Sequence, residues 1–267
     1  MVSATAERRM IIPGILERVP EVCEFVVEAA TNAGLDDRAV YHCQMAVDEW
    51  CTNIVEHSFN KGSRIGRIEV TCGRRYDQFM ILISDDAPPF DPTTLSDVDP
   101  HKPLEEREPG GLGWFFIRKV MDELHYEFRD GRNYLTMYKN GAQPVQKAMS
   151  SDVYPSSDAD GGVRLLTLRG RLDSTTSRAL ETALSSQLSS GHSLLVLDMR
   201  EVSYVSSSGL KAILTALRQA NRSGGNVALA GLAPRVLEIF QISGFDTLFI
   251  IEDSPEAAIV RIAAANA

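Results

Sequence analysis

The sequence has no uninterrupted apolar run of about 18 residues, the length a membrane-crossing helix needs, so no span of that kind is expected. Its opening residues, MVSATAERRMIIPGILERVPEV, also lack the apolar stretch of about 7–15 residues that marks a secretory signal. Cysteine is scarce: Cys23, Cys43, Cys51 and Cys72 are all there is, with no CxxC pair and no cluster of histidine partners. That pattern disfavours a disulfide framework or a zinc site and favours a reduced, cytoplasmic protein with buried thiols. Basic charge is in deficit too, with 27 Lys and Arg against 36 Asp and Glu. Residues 1–160 hold 17 basic and 27 acidic side chains, a balance of −10, whereas residues 161–267 hold 10 and 9, a balance of +1. Direct nucleic-acid binding wants a basic face, so none is expected.

What the chain does have is size and apolar content. At 267 residues and 44% hydrophobic it can fill two packed cores. Segment 141–160, rich in Ser, Asp and Pro, reads as a linker between a first domain at 1–140 and a second at 161–267. In the first domain, helical patterns at 17–33 and 37–59 precede two alternating runs, RIGRIEVTC and DQFMILISD, that read as paired strands. A loop at 86–109 carries six prolines and reads as a lid. After a further helix, LHYEFRD and RNYLTMYKN form a hairpin around Asp130-Gly131. The expected class is α+β, with helices on a mixed, largely antiparallel sheet. Beyond the linker, strands alternate with helices, which predicts an α/β domain with a mostly parallel sheet.

Three motifs in the first domain could carry chemistry. MAVDEWCTNIVEHSFN puts Glu49, Asn53 and His57 on one helical stripe, where a carboxylate base and an amide oxygen could face one site. Magnesium keeps waters and phosphate oxygens, so a single Asn oxygen suffices; the competing reading is a solvated helix face. MILISDDAPPFDP ends a strand at Asp85 and Asp86, where a carboxylate could accept from an amine such as adenine N6 or cap a turn. REPGGLGWFFIRKVMDEL sets Gly110, Gly111 and Gly113 before a helix whose free N–H groups and positive dipole end favour phosphate; a hinge without a ligand would use the same glycines.

Taken in order, these motifs resemble the nucleotide-binding signature of the GHKL ATPase fold, in its anti-sigma-factor serine kinase branch, over about residues 8–139. The resemblance implies that Asn53 holds Mg²⁺, that Asp85 contacts adenine, and that Gly110, Gly111, Leu112 and Gly113 line the phosphates of ATP. It also implies that Glu49 is the general base for a protein hydroxyl. Where the family has Asp-x-Gly, this chain reads Asp85-Asp86-Ala87, so the methyl of Ala87 stands at the nucleotide and is either tolerated or crowds it. No phospho-His helix hairpin precedes the domain, which argues against a histidine kinase.

In the second domain, LDMREVSYVSSSGLKAIL places Ser206, Ser207 and Ser208 between a strand and a helix, as caps or as a phosphate site. With GRLDSTTS and APRVLEIFQISGFDTLF, it resembles a STAS domain, the fold of anti-sigma-factor antagonists, over about residues 161–265. The family's Asp-Ser-Ser-Gly-Leu run carries the phosphoacceptor directly after the Asp. Here that acceptor is Ser207, and Ser206 replaces the Asp. The resemblances together imply a regulatory serine kinase that binds Mg·ATP and a sigma factor or a STAS antagonist, its own or a separate chain's, and that could dimerise. The alternative is a non-catalytic ATP-binding module with the STAS domain docked on a degenerate kinase domain.

Overall fold

The structure, a computed structural model, describes residues 7–59, 65–75, 78–94, 112–141, 156–160 and 162–266. They fall into two compact units. In the first, helix α1 (Val19–Asn32) starts with a proline in its first turn and repeats buried residues at three- and four-residue spacing: Val19, Val22, Cys23, Val26, Ala29 and Ala30. Helix α2 (Asp37–Asn53) starts at Asp36, whose carboxylate accepts from the Ala39 N–H at 2.7 Å.

These helices cover one face of a five-stranded sheet. Its strands are β1 (Arg8–Pro13), β2 (Arg67–Arg75), β3 (Gln78–Asp85), β4 (Glu123–Arg129) and β5 (Arg132–Asn140), in the order β1-β2-β3-β5-β4. Alternate residues Ile68, Val70, Cys72, Phe79, Ile81, Ile83, Leu135 and Met137 are buried, as a half-covered sheet requires. The expected mixed sheet is antiparallel at every described pairing. Asp130 (φ 50°) and Gly131 (φ 72°) both take left-handed backbone, the primed turn that an Asp-Gly pair favours, and so fix the β4–β5 hairpin.

Several features depart from the sequence reading. Strand β1 was not expected. Helix α2 ends at Asn53 and passes into π-helical turns at Ile54–Phe59. Helix α3 (Leu112–Val120) has nine residues and stops before Met121. Most of the proline-rich loop, from 95 on, and positions 142–155 of the linker lie outside the described residues.

The second unit runs β6 (Ser156–Asp160), β7 (Val163–Leu172), α4 (Ser177–Ser189), β8 (Leu194–Val205), α5 (Ser207–Arg222), β9 (Asn226–Ala230), α6 (Pro234–Ile242), β10 (Ile250–Glu252) and α7 (Pro255–Ala264). Strands β10, β9, β8 and β7 pair in parallel in that order, and β6 adds antiparallel to β7. Strand β6 thus occupies the last five residues of the stretch read as linker. Leu195, Val196 and Leu197 are all buried, the mark of a parallel strand covered on both faces. Helix α7 sets Ala258 and Ile262 against Val196 and Ala228, while α5 packs against β7, β8 and β9.

No helix among the described residues is long and apolar enough to cross a membrane. None of the four cysteines forms a disulfide among the described residues and all are buried, and burial pushes the Cys72 thiol up to about 12.

Candidate functional site

Glu49 is 4% exposed in the penultimate turn of α2, so the reading in which it merely faces solvent fails. Asn53, one turn on, is half-buried. The first turn of α3 comes down on both. A Cβ added to Gly113 would lie 2.7 Å from Glu49 Oε2 and 3.1 Å from Asn53 Nδ2, so the approach needs a residue without a side chain. The neighbouring tryptophans hold this contact: the rings of Trp50 and Trp114 lie 5.8 Å apart at 54°. Both indole N–H groups are buried with no hydrogen-bond partner among the described residues.

The structure therefore brings Glu49, Asn53 and Gly113 together, with Leu112 half-buried as the first residue of α3. His57 sits in the π-helical turns and is exposed, unlike Glu49, because the wider turns break the 3.6-residue period. Gly110 and Gly111 lie outside the described residues.

Asp85 closes β3 and is 1% exposed. Its Oδ1 accepts from the Ala87 N–H at 2.9 Å and from Asn133 Nδ2 at 2.8 Å. Burial pushes its pKa up, the two hydrogen bonds oppose that, and the net direction is upward. Its charge reaches α2: burial first, then the charges of Asp48 and Asp85, raise the Cys51 thiol. Ala87 is buried, and Asp130 is the one non-glycine with positive φ among the described residues, so the turn does not demand glycine at 87.

Asn133, on β5, was missed in the sequence. It is 4% exposed, and besides Asp85 its Nδ2 lies 3.2 Å from the carbonyls of both Ala87 and Pro88. Its Oδ1 accepts from the Tyr126 hydroxyl at 2.7 Å and the Phe90 N–H at 3.3 Å. A signal existed: in RNYLTMYKN, Asn133 occupies the same alternate positions as the buried Leu135 and Met137, an amide in a core-facing register.

In the second unit Ser206, 3% exposed, caps α5: its Oγ accepts from the Gly209 N–H at 3.4 Å and its own N–H donates to the Leu172 carbonyl at 2.9 Å. Serine caps about as well as the aspartate it replaces. Ser207 is the first residue of α5 and half-buried, where free N–H groups and the helix dipole favour added negative charge. One residue past Leu172, buried Asp173 accepts from Thr175 Oγ1 at 2.7 Å and Arg171 Nε at 2.9 Å. Burial alone would raise Asp173, but the Thr175 bonds and the Arg171 guanidinium outweigh it and hold it below the usual carboxylate range.

Residues 12–139 match the model of the histidine kinase-like ATPase domain, and residues 154–258 match that of the STAS domain. The chain is 31% identical over 124 residues to the serine-protein kinase RsbW of Halalkalibacterium halodurans, a match covering 42% of this chain and 75% of that protein. It is 36% identical over 101 residues to the protein of Bordetella bronchiseptica named as anti-sigma factor antagonist BtrV, covering 38% of this chain and 87% of that one. A crystal structure of an anti-sigma factor antagonist from Mycobacterium paratuberculosis is also similar, at 20% identity and TM-score 0.39 over 42% of this chain and 95% of that one. The chain belongs to the histidine kinase-like ATPase family through residues 12–139 and to the STAS family through residues 154–258, fused in one polypeptide.

Proposed function

We propose that this protein is a cytoplasmic regulatory serine kinase and anti-sigma factor of a partner-switching pathway controlling transcription, with ATP as phosphoryl donor and a STAS serine as acceptor. The acceptor is Ser207 of its own chain or the matching serine of a separate one. The observation that carries the reading is the seating of Gly113 on Glu49 and Asn53, which sets a buried carboxylate, an amide and a helix N-terminus at one place. A relative named serine-protein kinase RsbW is 31% identical to this chain over 124 residues, which supports the kinase reading.

In this reading the N–H groups at Gly111, Leu112 and Gly113 meet the phosphates, with Gly110 giving the backbone room, and Asp85 accepts from the adenine amine beside Ala87. Asn53 would hold Mg²⁺, and the donor set fits: one amide oxygen suffices for an ion that keeps waters and phosphate oxygens, and the half-buried Asn53 amide lies against the first turn of α3. When bound, the ion neutralises phosphate charge. Glu49 takes the proton from the serine hydroxyl as its oxygen bonds to the γ-phosphorus. The bond to the β–γ bridging oxygen breaks, and ADP leaves with that electron pair. Phosphate at Ser207 would place new charge at a helix N-terminus that stabilises it and would repel acidic partner surfaces, including the −10 half of another copy in a homodimer.

The test is the intact mass of the protein after incubation with Mg·ATP, alongside Glu49→Gln and Ser207→Ala. Gain of one phosphate that both substitutions abolish is the expected result. A full gain of one phosphate by the Ser207→Ala chain would sink the acceptor assignment. A second reading, a non-catalytic ATP-binding module, is favoured by Ser206 standing where the family has a carboxylate. It predicts ATP binding by calorimetry without phosphate transfer, even to STAS domain in excess.

A further inference from the structure

We infer that Asn133, oriented by Tyr126, is a positioning residue that fixes Asp85 as a hydrogen-bond acceptor and thereby sets a preference for adenine over guanine nucleotides. The inference rests on the reading of Asp85 as the base-contacting residue. Its ground is the use Asn133 makes of its hydrogen-bonding capacity. Among the described residues, every hydrogen bond of its side chain goes either to the six-residue segment 85–90, which starts at the end of β3, or to Tyr126 on β4.

The amide has one workable orientation. With Nδ2 toward the segment, its two hydrogens serve Asp85 Oδ1 and the Ala87 and Pro88 carbonyls, while Oδ1 receives the Tyr126 O–H and the Phe90 N–H. Flipped, its oxygen would meet three acceptors with no donor between them, and its NH₂ would face the Phe90 N–H. Tyr126 also accepts from the Phe90 N–H at 3.2 Å, so it ties the far end of the segment to the same amide.

The consequence falls on Asp85. Both of its described hydrogen bonds are to Oδ1, from Asn133 and Ala87, so the carboxylate cannot rotate without breaking both. A carboxylate held as a pure acceptor suits the amine of adenine and rejects guanine, which presents a carbonyl at that position. Without Asn133, Asp85 loses a donor that favours its charged form. It can then turn, or take up a proton and donate to a guanine carbonyl.

The experiment is calorimetric titration of the full chain with ATP and with GTP, paired with a melting curve for each variant. Asn133→Leu keeps the branched shape and the number of side-chain heavy atoms and removes every side-chain hydrogen bond; its ATP affinity should fall about tenfold and the ATP-to-GTP ratio should collapse. Asn133→Thr returns one hydroxyl on a residue suited to a strand and should recover part of the ratio. Tyr126→Phe, which leaves Asn133 in place, should lower the ratio about threefold and decides the matter if Asn133→Leu does not fold. A folded Asn133→Leu, or a Tyr126→Phe chain, with an unchanged ratio overturns the inference. If those variants leave the ratio unchanged while Asp85→Asn abolishes it, the positioning role alone falls. If the unsubstituted protein binds neither nucleotide, the base-contact reading falls with it.

Discussion

At the scale of the residue, Asp85 combines function and cost. Its folded-state pKa lies above the ordinary carboxylate value chiefly because it is buried, so the folded chain holds its proton more tightly than the unfolded one. Stability from this group is therefore present in acid and lost as pH rises through the folded-state pKa. Asp85→Asn keeps an Oδ1 to accept from Ala87 and Asn133 and has no charge to bury. It should melt at the same temperature as the parent below about pH 4 and at a higher one at pH 7, while losing ATP affinity; calorimetry at both pH values checks this. Glu49, Asn53, Asp85 and Gly113 could be named as candidates in the sequence because helix spacing, a strand end before a proline-rich loop and glycine placement are local signals. Asn133 could not be assigned a role, because its partners Asp85 and Ala87 lie 48 and 46 residues earlier and only the folded sheet brings them to it.

At the scale of the element, caps set where the site helices begin. Asp36 starts α2, which carries Glu49 and Asn53, and Ser206 starts α5, which carries Ser207. Asp36→Ala and Ser206→Ala should each cost about 1 kcal/mol in denaturant unfolding. Their effects should add within about 0.5 kcal/mol because the two caps lie in separate units. The β4–β5 hairpin was legible because Asp130-Gly131 dictates its own turn. Strand β1 was not: RRMIIP has no clear alternation, and its partners, Arg67–Cys72, lie far along the chain. The π-helical turns after Asn53 escaped because apolar spacing in IVEHSF suits a continuing α-helix equally well.

At the scale of the whole molecule, we propose a first domain at residues 1–140 and a second at 161–267 joined through 141–160, with the last five residues of that stretch, β6, belonging to the second domain's sheet. Ser156–Asp160 pairs along its length with Val163–Thr167, so a second-domain fragment cut at 161 leaves β7 as an unpaired edge. A fragment starting at residue 150 should therefore melt higher than one starting at 161, by roughly 4–8 °C for each kcal/mol that β6 contributes; equal melting temperatures would show that β6 adds nothing. Composition could not reveal this strand, since SSDAD reads as linker and becomes a strand only beside β7.

The seating of α3 on α2 also makes the protein its own optical instrument. The chain has two tryptophans, and both stand at that contact, one next to Glu49 and the other next to Gly113. Indole emission thus reports on this place alone, and the STAS half is silent in it. Any shift of α3 as a nucleotide enters would change the coupling between the two rings and be read directly, with no label attached.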